Sequence, residues 1–428
     1  MGISRRKLLQ AGAMAPVVAG LGASLPLEAA AQQQRAPAAG LEQLKPLGER
    51  VKPITVEEFQ GRIAKAQKLM GDAKPSIDAL YVTPGSTQYY FTGLRWGGGE
   101  RLMALTIPRK GEPFLVCPAF EEGRLRELVR WPMEIRVWQE DESPYALVAR
   151  TLADRGVRTG RIGVNETNPF FFCDGLRKSA AGFQFASGDP ITVGCRGRKT
   201  AHELELMALA NEATCNAIQA AFANLKAGMK QRDVGALISQ AHQRQGVSGG
   251  GLVLFGEWAA LPHGTTKQPE LKEGDVVLAD CGTSVEGYSS DITRTTVFGN
   301  ASDKVKRAYD SVRKAQDAAL AAAQRGKLSG SVDDAARKVI TDAGFGHGYE
   351  HFTHRLGHGI GLDGHEHPYL VKGSKTVLEP DMTFSNEPGV YIVGEFGVRC
   401  EDVMAITENG PAKLLSPGFA VSLESPFA

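Results

Sequence analysis

Two kinds of hydrophobic pattern alternate along the first half of the chain. In "VEEFQGRIAKAQKLM", Phe59, Ile63, Ala66 and Met70 fall on one side, the spacing of an amphipathic helix. "IDALYVTP" and "RLMALTIPRKGEPFLVCP" read as strands separated by turns. "EEGRLRELVRW" and "ALVARTLADRG" predict helices, and "RIGVN" predicts a strand. Strands and helices in alternation predict an α/β domain over residues 51–190.

The pattern changes at "RKTAHELELMALANEATCNAIQAAFANLKAG". Leu204, Met207, Ala210, Ile218 and Phe222 keep helical spacing, with Gly228 as the expected stop. "QRDVGALISQAHQRQG", "DKVKRAYDSVRKAQDAALAAAQRG" and "SVDDAARKVITDAG" predict three more helices. His202 and His242 fall on these helices and read as polar-face residues. Residues 274–298, 382–393 and 396–407 are β-rich. Helices and strands that do not alternate one for one predict an α+β domain over 196–428.

One stretch breaks both patterns. "HFTHRLGHGIGLDGHEH" (351–367) holds five of the nine histidines. His351, His354, His358 and His365 would share a helical stripe, but Gly357, Gly359, Gly361 and Gly364 argue against a helix. Each costs a helix interior about 1 kcal/mol relative to Ala. An extended or irregular segment is expected, in which histidines converge and glycines permit close approach.

Carboxylates in apolar surroundings supply partners for them. "EGDVVLADCGTSVEGYSSDITRTTVFG" predicts a β-hairpin with Val276, Leu278 and Asp280 on one strand face and Asp291, Thr293, Thr295 and Val297 on another. Antiparallel pairing would bring the two aspartates together. Like charges that close need a cation or a shared proton. Glu387 in "TFSNEPGVYIV" and Glu401 in "FGVRCEDVMAIT" have similar settings, the latter on the face of Arg399. Four carboxylates and an imidazole suit Mn²⁺, Co²⁺, Fe²⁺ or Zn²⁺, with room for a bridged pair.

Composition adds limits. At 428 residues, 23% charged and a formal charge of +1, the chain is long enough for two or three domains and gives no support for nucleic-acid or membrane-surface binding. The start differs. Arg5, Arg6 and Lys7 precede a weakly apolar, glycine-rich stretch ending in Ala29 and Ala31, an export signal over residues 1–31. The Arg5–Arg6 pair after Ser4 resembles a twin-arginine signal, which implies the twin-arginine machinery as a partner and a periplasmic or secreted destination. Residues 32–50 read as a flexible linker. Six cysteines without a C-x-x-C pattern read as free, mostly buried thiols.

Order and spacing also resemble a family. "DCGTSVEGYSSDITRT", "THRLGHGIGLDGHEHP", "TFSNEPGVY" and "GVRCED" are similar to motifs of the M24 "pita-bread" metallopeptidases, which include prolidase and aminopeptidase P. "ALYVTPGSTQYYFTGLRW" and "VNETNPFFFCDGLR" resemble the smaller creatinase/prolidase N-terminal domain. The resemblance implies two divalent metal ions, Mn²⁺ foremost, held by Asp280, Asp291, His358, Glu387 and Glu401. It implies hydrolysis of X-Pro bonds by a hydroxide shared between the ions. His263, His354 and His365 then assist, His365 at the oxyanion, and Glu387 moves the proton. A proline nitrogen carries no N–H, so a site shaped to the ring and to a free amine favours it. Arg399 is expected either to anchor a substrate carboxylate or to orient the ligands, and Trp96 is a candidate lid. His263 and His354 are also expected to touch substrate. The expected partners are a small peptide with proline second and a homodimer or larger homo-oligomer, with no stable membrane anchor. X-Pro dipeptidase and aminopeptidase P both remain open. The alternatives are a creatinase-like C–N hydrolase, against which five intact ligands argue, and a silent exported binding protein on the same fold.

Overall fold

A computed structural model describes residues 40–427. The expected leader and residues 32–39 of the expected linker lie outside them. Residues 40–50 are not a free linker. Leu41 is fully buried beside Ile218 and Ala221, and Leu47 is buried with its N–H donated to the Gln245 carbonyl (2.9 Å). Arg50 donates twice to Glu212 (2.7 and 2.6 Å). Leu41 and Leu47 supply apolar anchors that a polar-composition reading of the segment overlooks.

Helix α1 (Val56–Asp72) begins at a Thr55–Glu58 capping box and buries Phe59, Ile63, Ala66 and Met70. Strands β1 (Ala79–Val82), β2 (Ala104–Pro108), β3 (Phe114–Pro118), β4 (Glu134–Trp138), β5 (Gly160–Val164) and β6 (Phe183–Ser187) form one sheet in the order β4-β3-β2-β1-β5-β6. Its connections include α2 (Ser86–Thr92), α3 (Glu122–Leu128), α4 (Pro144–Asp154) and α5 (Phe170–Ser179). Helix α6 (Asp189–Arg196) follows and packs on α1. The edge strands β4 and β6 are only partly buried, unlike β1, β2 and β3, and were not expected from the pattern.

Helix α7 (Ala201–Phe222) starts at a Thr200–Glu203 capping box. It stops at Phe222, short of the expected Gly228. That glycine has φ +82° and joins the Leu271 segment through its N–H (2.9 Å). Helix α8 (Gln231–Arg244) pairs with α7, α8 packing on β7 (Gly249–Phe255) and α7 on β8 (Val276–Val285). With β9 (Tyr288–Ser289) and β10 (Ile292–Val297), these strands make a sheet in the order β10-β8-β7, β9 lying against β8. Helices α9 (Asp303–Ala322) and α10 (Ser329–Asp342) pack together behind the second half. There β11 (Gly357–Gly359), β12 (Glu366–Leu370), β13 (Thr383–Asn386), β16 (Asp402–Ala405) and β17 (Lys413–Leu414) form a sheet in the order β12-β11-β13-β16-β17. Strands β14 (Gly389–Ile392) and β15 (Phe396–Arg399) form a separate pair. An isolated antiparallel bridge between Thr293 and Glu401 joins the two halves at the site. No described helix is long and apolar enough to cross a membrane.

Candidate metal centre and its cavity

The β8–β10 register sets Thr293 opposite Asp280, with Ile292 opposite Cys281. Asp291 then lies diagonally across on the Asp280 face, as the hairpin pattern predicts. His358 comes from β11, Glu387 from the turn after β13, and Glu401 from the link between β15 and β16. The nine residues singled out from the sequence, these five with His263, His354, His365 and Arg399, all line one cavity of about 380 Å³. Pro262 and Arg355 complete its wall.

The donors converge in three overlapping triplets, each with ligand atoms within 4.8 Å of one another: Asp280–Asp291–Glu401, His358–Glu387–Glu401 and Asp291–His358–His365. His358 Nε2 lies 3.3 Å from Glu387 and 3.6 Å from Asp291. Its Nδ1 faces the Gly359 carbonyl at 3.1 Å. A carbonyl only accepts, so Nδ1 carries the proton of the neutral ring and Nε2 presents a lone pair. Burial, then the charges of Asp280 and Glu387, push the Asp291 carboxyl well above its usual range. Burial and the charges of Asp291, Glu387 and Asp280 do the same to Glu401. Burial acts to raise Glu387 too, but the neighbouring His358 and His354 rings and the Arg399 guanidinium hold it down at about 2. A lone pair and crowded carboxylates aimed at one volume are the arrangement a divalent cation resolves. These residues fit the metal pair.

A second layer fixes the donors. Arg399, buried, donates to Asp280 (2.5 Å), Thr293 Oγ1 (3.1 Å) and Tyr391 OH (2.9 Å). Thr293 in turn donates to Glu401 (2.7 Å). Of the two roles expected of Arg399, this geometry serves the orientation of ligands. His354 is tied at both nitrogens, to the Arg355 carbonyl and to Tyr391 OH (2.8 Å each). Burial lowers its pKa. Ser385 Oγ accepts from the His358 N–H and donates to Glu387 (3.0 Å each). The His365 ring stacks on His358 at 3.6 Å between centroids, and Arg355 donates to its Nδ1 (3.2 Å). An arginine cannot accept, so the neutral His365 carries its proton on Nε2. His263 reaches the cavity from an exposed loop.

Trp96 is placed elsewhere. It lines a separate cavity and lies 4.7 Å below the Arg124 guanidinium. Arg355, Tyr391 and Ser385 escaped the sequence reading. Tyr391 and Ser385 stand inside the quoted "TFSNEPGVY" stretch, so their signal was proximity to Glu387. Arg355 stands inside the quoted "THRLGHGIGLDGHEHP" stretch, between His354 and Leu356, so its signal too was proximity.

Fold and site together define the class: a metallopeptidase with a mixed-sheet domain in front of its catalytic half. The chain belongs to metallopeptidase family M24, whose profile matches residues 205–408, while that of the creatinase/prolidase N-terminal domain matches residues 62–197. The chain is 36% identical over 349 residues to a protein named Xaa-Pro dipeptidase from Lactobacillus delbrueckii subsp. lactis, covering 78% of this chain and 91% of that one. Among solved structures, dipeptidase PepE from Mycobacterium ulcerans superposes with a TM-score of 0.79 at 34% identity, covering 86% of this chain and 98% of that one. A prolidase from Thermococcus sibiricus gives a TM-score of 0.75 at 31% identity, covering 84% and 97%.

Proposed function

We propose that the protein is a dinuclear-metal X-Pro dipeptidase. The observation that carries this is the convergence of Asp280, Asp291, His358, Glu387 and Glu401 on one cluster. Relatives named for Xaa-Pro dipeptide cleavage support the substrate class. Two divalent ions held by these five side chains would lower the pKa of a shared water towards neutrality and polarise the scissile carbonyl. The oxygen-rich donor set favours Mn²⁺ over softer ions, with Co²⁺, Fe²⁺ and Zn²⁺ as competitors.

The chain's own residues supply the rest. Glu387, held ionised, takes a proton from the attacking water and delivers it to the leaving nitrogen, which in proline has no proton of its own. His365 donates through Nε2–H to the oxyanion. Arg399 keeps Asp280 and, through Thr293, Glu401 in place. His354 holds Tyr391, and His263 meets the substrate from the mouth. Calorimetric titration of metal-stripped protein with Mn²⁺ should show two ions per chain, and the loaded protein should cleave Ala-Pro. Asp280→Asn should lose both. A single bound ion supporting full turnover would overturn the dinuclear assignment. Inertness towards every X-Pro peptide with all four metals would overturn the proposal.

A further inference from the structure

Among the described residues, Arg355 is the arginine of this cavity that no acidic side chain meets. Arg399 already spends three of its five N–H donors on Asp280, Thr293 and Tyr391. Arg355 lines the same cavity, and its guanidinium lies 4.2 Å from the Tyr369 ring centroid. Its one side-chain hydrogen bond among the described residues goes to His365 Nδ1 (3.2 Å), and no described carboxylate forms an ion pair with it. Stacking on Tyr369 and bonding to His365 hold the planar fork in one orientation, as suits two-point capture of a carboxylate.

Charge and reach point the same way. Two divalent ions would balance the four carboxylates of the cluster, so none of these would be left to pair with Arg355 at its half-buried position. It stands one hydrogen bond beyond His365, whose ring is stacked 3.6 Å from that of His358. The carboxylate of a dipeptide lies one residue, roughly 3.5 Å of chain, beyond the scissile bond. Resting on the peptidase function proposed above, we infer that Arg355 is the specificity-determining residue, receiving the C-terminal carboxylate of a dipeptide and so selecting dipeptides over longer chains. In a longer peptide that position holds a neutral amide, which leaves the guanidinium unpaired.

The test compares Ala-Pro, Ala-Ala and their C-terminal amides on Mn²⁺-loaded wild type, Arg355→Met and Arg355→Lys. The ratio of kcat/KM for free acid to amide should be large in wild type and fall roughly 10- to 100-fold in Arg355→Met, mainly through KM. Arg355→Lys should recover part of it. Equal losses on acid and amide would show that Arg355 only orients His365, and would overturn the inference. Dependence on the free carboxylate with Ala-Ala alone cleaved would preserve Arg355 and overturn the proline preference. Should nothing be cleaved, calorimetric binding of Ala-Pro against its amide decides. Tighter binding of the acid, lost in Arg355→Met, supports the inference, and equal binding overturns it.

Discussion

His242 shows at the scale of one residue how burial overrides pattern. Its place on a polar helix suggested a solvated face, yet it is fully buried, with Nε2 3.2 Å from Thr214 Oγ1. The Thr214 hydroxyl continues to Ser290 Oγ (2.7 Å), next to Asp291, so the imidazole backs the hairpin that carries two of the proposed ligands. Burial lowers its pKa from 6.5 to about 4. On acidification the unfolded chain is protonated first, so stability is complete above about pH 6.5 and falls as pH drops towards 4. By pH 5 the loss is on the order of 2 kcal/mol. Urea unfolding at pH 7 and pH 5 should show His242→Gln losing less stability between them than wild type. An identical pH slope in both proteins would remove His242 from this account.

At the scale of elements, β7 is the instructive failure of pattern reading. "GGGLVLF" begins with three glycines and carries no element predicted from the sequence, yet it pairs with β8 from Gly249–Thr283 to Phe255–Val277. The glycines are required by close approach: a Cβ on Gly251 would lie 2.1 Å from the Asp280 carbonyl oxygen and 2.6 Å from Cys281 Sγ, and one on Gly249 would lie 2.7 Å from the His242 ring. Gly251→Ala should therefore cost roughly 1–3 kcal/mol or more and weaken metal binding by shifting Asp280. Gly235, inside α8 with nothing within 4 Å of an added Cβ, is the control, and its change to Ala should stabilise by about 0.5–1 kcal/mol. Thermal unfolding and metal titration of both variants check this. The helices α1, α8, α9 and α10 were legible because each has a polar face that repeats, α7 because its apolar positions keep helical spacing although it is buried on most sides, and the hairpin because its buried carboxylates alternate with aliphatic residues. Strand β7 was not, since its glycines remove the periodic signal, and β4 and β6 were not, since their alternation spans only 5 residues each.

At the scale of the molecule, the two domains are locked by a buried charge network. Arg62 on α1 donates to Glu203 of α7 (2.8 Å), to Tyr288 OH (2.9 Å) and to the Tyr90 carbonyl (2.8 Å), and Tyr288 donates to Glu203. Both charged partners are almost without exposure. Arg62→Met should destabilise by roughly 3–5 kcal/mol, because it strands the Glu203 charge. Adding Glu203→Leu should restore much of that. Denaturant midpoints of the single and double variants measure the coupling. Additive losses would show that the pair does not act as a unit.

The chain by itself determined which atoms could meet a metal. Alternation put Asp280 and Asp291 on one hairpin face, and the spacing of glycine and histidine kept 351–367 out of a helix, because side-chain direction follows from local backbone period. Only the tertiary structure decided which of these groups are already satisfied. Arg399 and Arg355 are chemically identical in sequence. Both line the cavity, but one is paired with Asp280 and bonded to Thr293 and Tyr391, while the other bonds only to His365, since hydrogen-bond partners are brought from distant parts of the chain.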